Sequence, residues 1–210
     1  MSQYETTLKK VSTGGIVSAT IHDLLALETL FRVEEQWCVE RITVLRELAS
    51  GQVDRNDWPQ SVHWSWAYKA ATLEQLRLEA GEMRFFGIEA ENEWQGLLCA
   101  ISEGYHTRLG TSDRPLVYID YLESAPWNWD IGLIKRFGRF RGVGVQLMET
   151  AVRWSIALGY NGRVGLHALP QAEGFYQGRC RMENLGVDAS YHDLCYFEFD
   201  DSQASTFLRR

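Results

Sequence analysis

The residues Arg139-Phe140-Arg141-Gly142-Val143-Gly144 decide how this chain is interpreted, because they lie close to its two most regular segments. Residues 116–125 (LVYIDYLESA) precede them, and their near-continuous apolar character predicts a central strand buried on both faces. Residues 143–158 carry apolar side chains at helical spacing, and Gly159 is a natural stop. The segment therefore lies where a helix begins, after a central strand.

The first turn of that helix is suited to binding a diphosphate. Its N–H groups have no partner within the helix and carry a partial positive charge. Gly142 and Gly144 leave the backbone bare, and Arg139 and Arg141 add positive charge. The segment is neither a P-loop nor a G-x-G-x-x-G motif. On spacing alone, a tight loop with solvated arginines explains it equally well.

The remaining segments predict a mixed sheet with helices packed on it, of class α+β or α/β. Residues 1–13 are polar and are expected to be loose. We expect a single domain with a helical N-terminal region (1–80) and a core (83–200). The expected strands are 16–21, 83–90, 94–104, 116–125, 163–169 and 194–200, and the expected helices are 24–48 (one or two), 67–80, 143–158 and 170–176, with an irregular insert at 127–138.

Composition narrows the classes of function. The chain has 210 residues, 45% of them hydrophobic, which is enough for a core without a metal or disulfide. Its net charge of -7 gives no reason to expect a nucleic-acid partner, although residues 135–141 form a local basic patch. Its four cysteines lack metal-ligand spacing and are expected to be buried or partly buried free thiols. Without a signal segment or long apolar run, we expect a cytoplasmic protein without membrane contact, and a homodimer stays open.

The motif Arg139-x-x-Gly142-x-Gly144 resembles the Q/R-x-x-G-x-G/A signature of the GNAT N-acetyltransferase superfamily. Its surroundings are similar as well: a strand, Pro126, the signature, a helix, another strand, and Ala172-x-x-x-Tyr176. The similarity covers residues 83–200. It implies a GNAT-like central twisted mixed sheet flanked by helices, with an enlarged helical N-terminal region that shapes the acceptor site.

The resemblance implies an acyl-CoA-dependent N-acyltransferase, most simply one that uses acetyl-CoA. The acceptor would be a primary amine of a small molecule, an amino acid, or a peptide or protein. Tyr176 would protonate the departing thiolate. The backbone near residues 122–124 would bond the acyl carbonyl and pantetheine, and N–H groups 140–145 would hold the pyrophosphate. The implied cofactor-binding residues are Leu122, Glu123, Ser124, Arg139, Phe140, Arg141, Gly142, Val143, Gly144 and Val145.

Three features depart from the family pattern. The insert between Pro126 and Arg139 is longer than in compact members, and it could cover the acceptor or the cofactor. Leu169 stands where an asparagine often contacts pantetheine. The Gly-Phe pair usual after the tyrosine is replaced by Arg181-Met182.

A general base would accept the amine proton, directly or through water. Asp120 and Glu123 are the candidates, and strand alternation puts them on opposite faces. Burial of Asp120 within an apolar run would raise its pKa, whereas Glu123 lies closer to the expected acyl position. Both stay open, and good positioning of amine and thioester would make a dedicated base unnecessary. His167, at the centre of a strand, is expected to be a satisfied core histidine.

The acceptor cannot be identified from the sequence. An acidic chain favours a cationic amine, and the tryptophans of residues 58–66 and 127–129 either pack loops onto the core or line a pocket. Two other functions stay open. One is a non-catalytic module for CoA binding, regulation or protein interaction. The other is a toxin-like enzyme that acetylates aminoacyl-tRNA, which would need a basic face for the RNA.

Overall fold

A computed structural model of the chain describes residues 3–76, 83–110 and 113–209. The strands of this part are β1 (Gln3–Lys10), β2 (Ile16–Asp23), β3 (Met83–Ala90), β4 (Glu93–Ile101), β5 (Val117–Ser124), β6 (Phe140–Arg141), β7 (Val164–Ala168), β8 (Glu183–Asp188) and β9 (Leu194–Phe199). They form one mixed sheet in the order β6-β1-β2-β3-β4-β5-β7-β9-β8. The α-helices are α1 (Leu27–Ser50), α2 (Trp66–Leu76), α3 (Val143–Ala157) and α4 (Asp201–Phe207). The predicted mixed sheet with helices is therefore confirmed.

The prediction of a loose N-terminus is wrong, because Gln3–Lys10 forms β1. This strand pairs antiparallel with β2 from Gln3↔His22 to Lys9↔Ile16, around a turn in which Gly14 has φ +70°. Most of its side chains are exposed, whereas Leu8 is buried. Such a strand is stabilised by pairing with β2. Its polar sequence has no pattern that would predict a strand.

The apolar pattern of residues 24–48 corresponds to the single helix α1, which ends at Gly51. A helix that packs on one side buries only one stripe of side chains. Within α1, the pattern therefore included three apolar residues that are exposed. The fully buried residues are Leu30, Val33, Trp37, Val44 and Leu48, and the exposed ones are Phe31, Val39 and Ile42.

The C-terminal half follows the expected order of elements, with differences at its end. Helix α3 is confirmed, although Ile156, assigned to its apolar stripe, is half-exposed. Residues 170–176 form a 3-10 turn at Pro170–Ala172 and the start of a π-helical turn at Phe175–Cys180. The sequence patterns missed the exposed strand β8 and helix α4, which begins with a capping box at Asp200. Helix α2 follows its prediction to Leu76, and the predicted residues 77–80 lie outside the described residues.

The chain forms two compact units. Among the described residues, the first contains 3–76, 85–97 and 123–144, and the second contains 83–84, 98–110, 113–122 and 145–209. In the first unit, Val44, Leu48 and Trp129 belong to a buried cluster that joins α1 to the insert. In the second, Leu116, Tyr118 and Tyr196 form another cluster.

Two further features bear on the sequence predictions. All four cysteines are free, as expected, but Cys38 is exposed and the other three are buried or partly buried. Among the described residues, no helix has both the length and the apolar character that crossing a bilayer requires.

Candidate functional site

The glycine signature lies at a strand–turn–helix junction. Strand β6 pairs with β1 through Lys9↔Arg141 and Lys10↔Phe140, and α3 begins at Val143. Gly142, between them, has φ +98°, a conformation that costs an L-residue energy. A Cβ at Gly142 would make only an ordinary contact with Leu8 Cδ2, at 3.7 Å. The glycine is therefore required by the backbone conformation and not by crowding around it.

The two signature arginines have acidic neighbours. Arg139 Nη1 lies 3.1 Å from Glu93 Oε2, and its guanidinium is 5.2 Å from the centre of the Trp127 ring. Arg141 Nη2 lies 3.4 Å from Asp130 Oδ2, with both side chains more than half exposed. An exposed pair of this kind is weak, so Arg141 can turn to a phosphate at little cost.

The other members of the basic patch differ from the signature arginines. Arg136 pairs with Glu40 and Glu47, which both belong to α1. Its guanidinium thus fastens the insert to the helix. Arg136 is therefore engaged by two carboxylates of α1, whereas the pairs of Arg139 and Arg141 are exposed.

The predicted set of diphosphate-binding amides becomes smaller in the structure. The N–H of Phe140 donates to Asn128 Oδ1 at 3.0 Å, so it already has a partner. Arg141 pairs with Lys9 in the sheet ladder. The first-turn amides that follow have no acceptor within the helix. The N–H groups that remain as candidates for diphosphate binding are therefore those of residues 142–145.

Strand β5 loses its neighbour part-way along. Within the described residues, its parallel register with β7 joins Val117, Tyr118 and Ile119 to residues 164–166 and includes nothing further along β5. Leu122 thus lies beyond the part of β5 that pairs with β7, whereas β4 remains the other neighbour of β5 in the sheet. The carbonyl of Ser124, by contrast, accepts a hydrogen bond from Trp129 Nε1 at 3.1 Å.

Glu123 belongs to a buried network in the first unit. Its Oε2 accepts a hydrogen bond from Trp66 Nε1 at 2.7 Å and lies 3.5 Å from Arg41 Nη2. Arg41 Nη1 also lies 2.7 Å from Glu34 Oε1, and the Trp66 amide donates to Glu34 Oε2 at 2.8 Å. Glu123 Oε1 is buried, and the Ser61 side chain is a further hydrogen-bond partner of the carboxyl.

This environment changes the acidity of Glu123. Burial raises the pKa of its carboxyl from 4.5 to about 7, while Arg41 and the Trp66 indole partly oppose that rise. Near neutral pH the group is therefore present in both protonation states. A carboxyl with this property is suited to accepting a proton in catalysis.

The other two candidates for catalysis lie in the second unit. Asp120 is half-buried on β5, and its place in the alternation puts it on the face opposite Glu123. Tyr176 is buried in the π-helical turn, with its ring 5.1 Å from Phe175 and 5.9 Å from Phe197. Burial raises the pKa of the Tyr176 phenol, so it holds its proton at neutral pH.

Comparison with known proteins gives a fold. No family model and no curated protein matches the sequence. Among solved structures, a candidate acetyltransferase of the GNAT family from Desulfovibrio desulfuricans aligns with TM-score 0.53 at 12% identity, over 87% of this chain and 99% of that one. The chain has the GNAT fold. An uncharacterized protein from Bacillus halodurans aligns with TM-score 0.58 at 6% identity, over 98% and 94% of the two chains. At identities this low, the structural similarity establishes the fold alone. The activity is therefore argued from the site.

One departure from the GNAT pattern has a structural consequence. Arg181 stands at the position of the usual glycine, and it adopts φ +63° while its N–H donates to the Tyr176 carbonyl. Arg181 therefore adopts a left-handed conformation of the kind that favours glycine. An arginine there costs about 1 kcal/mol relative to glycine.

His167 is the satisfied core histidine that the sequence predicted. Its ring atoms Nδ1 and Nε2 lie 2.9 Å from the Tyr118 hydroxyl and 3.1 Å from Asp188 Oδ2. An ionised Asp188 only accepts hydrogen bonds, so Nε2 carries the proton and Nδ1 accepts from Tyr118. Desolvation lowers the pKa of His167, which keeps the ring neutral.

The tryptophans mainly pack the first unit. Trp66, Trp127 and Trp129 are buried, and Trp58 packs beside Trp129 while its Nε1 donates to the Val53 carbonyl. This arrangement favours loop packing over an aromatic pocket. The rings therefore hold the insert and residues 53–64 together.

The sequence analysis missed the partners of Glu123. Arg41 lies on the same helical stripe as Trp37, Val44 and Leu48, so a charged residue at a core position was a readable signal. Glu34 gave no comparable signal, because its role depends on where α2 begins. Asn128, which engages the Phe140 amide, lies in an insert without periodicity.

Proposed function

We propose that this protein is an N-acyltransferase that moves an acyl group, most simply acetyl, from a coenzyme A thioester to a primary amine. The observation that carries the proposal is Gly142 at φ +98°, placed between β6 and the first turn of α3. A helix start bared by glycine and flanked by arginines is suited to a diphosphate, which is the anionic part of CoA. The GNAT fold agrees with this use of the junction.

Residues of the chain would bind the donor at two places. The amides of residues 142–145 would hold the diphosphate, with Arg141 turning from Asp130 to add a charge. The β5 backbone at Leu122, beyond the part that pairs with β7, would bond the pantetheine arm. When bound, the CoA thioester supplies an activated acyl group.

Glu123 is the base that the local chemistry favours. Its pKa of about 7 lets it accept a proton near neutral pH. The amine proton would reach Oε1 directly or through a water molecule. Asp120, on the other face of β5, is the alternative base.

Tyr176 would supply the proton for the departing thiolate. Its raised pKa keeps the phenol protonated, which is the state a general acid needs before the reaction. The buried ring has neighbours at Phe175 and Phe197, so it is fixed in position. The acceptor is proposed to be a cationic amine that loses its proton on binding, because the chain has a net charge of -7.

The test is product detection by mass spectrometry after incubation with acetyl-CoA and a panel of amines that includes polyamines, amino acids and peptides. We expect acetylated product from at least one class, and much less from a Tyr176→Phe variant. Calorimetry with CoA runs in parallel. Binding of CoA without transfer or thioester hydrolysis across the panel would favour a non-catalytic module, and absence of binding would contradict the diphosphate site.

A further inference from the structure

Gln95 is a fully buried amide whose orientation is fixed by its partners. Its Nε2 donates to the carbonyls of Ala90 and Glu93, at 3.0 and 3.2 Å. Its Oε1 must therefore face the other way, where it accepts from Trp127 Nε1 at 2.9 Å and Asn128 Nδ2 at 3.0 Å. The side chain thus links the β3–β4 turn to the insert.

Asn128, whose side chain is oriented by Gln95, also bonds a backbone amide of the glycine signature. Its Nδ2 also donates to the Gln95 carbonyl at 3.1 Å, which leaves Oδ1 as the acceptor for the Phe140 N–H at 3.0 Å. The next amide back, that of Arg139, donates to the Trp127 carbonyl at 3.1 Å. Two successive peptide groups before Gly142 are therefore bound to the insert.

The bonds from the insert to the Arg139 and Phe140 amides matter, because backbone amides bind an anion well only when they are already oriented. Phe140 N–H points to Asn128, and Gly142 then reverses the chain direction into α3 at φ +98°. The Asn128 bond and the β6–β1 ladder together fix the backbone that leads into these amides. The Asn128 side chain thus connects the insert to the proposed diphosphate site, together with the Arg139–Trp127 backbone bond and the Arg141–Asp130 pair.

We propose that Asn128, oriented by Gln95, is a positioning residue that sets the direction of the diphosphate-binding amides of residues 142–145. The inference rests on the proposed function, because it assumes that these amides bind CoA. It assigns to the insert a task in donor binding. The Asn128 side chain itself does not contact the donor.

The first test uses the wild-type protein and follows amide hydrogen exchange at single-residue resolution by NMR, with and without CoA. We expect the Phe140 amide to be protected in the free protein, and the Gly142 and Gly144 amides to become protected only with CoA. Exchange of Phe140 as fast as that of Gly142 would overturn the inference. Calorimetry that shows no CoA binding would instead contradict the proposed function itself.

The second test compares Asn128→Ala with Asn184→Ala. Asn184 is a matched control, because its Oδ1 accepts from the Gly186 N–H at 2.8 Å in strand β8. We expect Asn128→Ala to raise the Kd for CoA and the KM for acetyl-CoA about 10- to 100-fold, with kcat within about 3-fold. The control should leave both constants unchanged.

A purely structural role of Asn128 would give another result. The variant would then unfold more easily, and its folded fraction would bind CoA with the wild-type Kd. That outcome, measured by calorimetry together with urea unfolding, would overturn the inference. If Asn128→Ala does not fold, the exchange of the Phe140 amide in the wild type decides alone.

Discussion

Replacing Glu123 with glutamine should stabilise the folded protein above neutral pH and change its stability little near pH 5. Glutamine has nearly the same shape and keeps an oxygen for the Trp66 indole, but it carries no charge to desolvate. The wild-type carboxyl has its pKa raised from 4.5 to about 7 by burial. The prediction follows from the difference between folded and unfolded states.

The direction of the pH dependence is fixed by that raised pKa. Below the unfolded-state value of 4.5 both states hold the proton, and burial of Glu123 costs little. As pH rises from there through about 7, the unfolded state loses the proton first, so folding stability falls. Above about pH 7 the loss of folding stability is complete. A pKa difference of about 2.5, at 1.36 kcal/mol for each unit, corresponds to about 3 kcal/mol.

The assay is urea unfolding of both proteins between about pH 5 and pH 8. The unfolding free energy of Glu123→Gln relative to wild type should increase by about 2–3 kcal/mol over that interval. Glu103→Gln, at an exposed carboxylate, is the matched control and should show little change. A relative stability that stays constant, or moves the other way, would mean that Arg41 fully compensates the charge of Glu123.

Three further outcomes test the proposed site. Gly142→Glu should abolish CoA binding in calorimetry, because it adds negative charge and bulk. Gly142→Ala has the same backbone strain of about 1–2 kcal/mol and should bind CoA more weakly but measurably. Equal affinity of both variants for CoA would argue against an anion at this position. Tyr176→Phe should lower kcat about 10- to 1000-fold, and near-normal turnover would remove Tyr176 as the general acid. If Glu123 is the base, kcat/KM should rise with pH through about 7. Glu34→Gln should then move this rise to lower pH and Trp66→Phe to higher pH, because Glu34 raises and the indole lowers the pKa of Glu123; shifts in the same direction would show that the network does not tune this carboxyl.

The elements with strong periodicity were predictable from the sequence. Helices α1 and α3 and strands β3, β4, β5, β7 and β9 lie close to their expected positions, because each buries a continuous face. Strands β1 and β8 were not predictable in this way. Their residues are mostly exposed, and pairing with β2 and β9 makes them strands.

The candidate site was only partly predictable. A local motif identified Gly142 and the start of α3, since glycine spacing and helix periodicity are read from neighbouring residues. The partners of Glu123 lie as many as 89 positions away in the sequence, the separation of Glu34 from Glu123. Contacts of that range depend on how α1 and the start of α2 pack. For the same reason, the acceptor of the Phe140 amide could not be read from the sequence.

The most direct measurement is a crystal structure of the protein with bound CoA. We expect diphosphate oxygens about 2.7–3.2 Å from the N–H nitrogens of residues 142–145, with the Phe140 N–H still bonded to Asn128. CoA bound with its diphosphate away from the start of α3 would refute the proposed diphosphate site, whatever activity the protein shows.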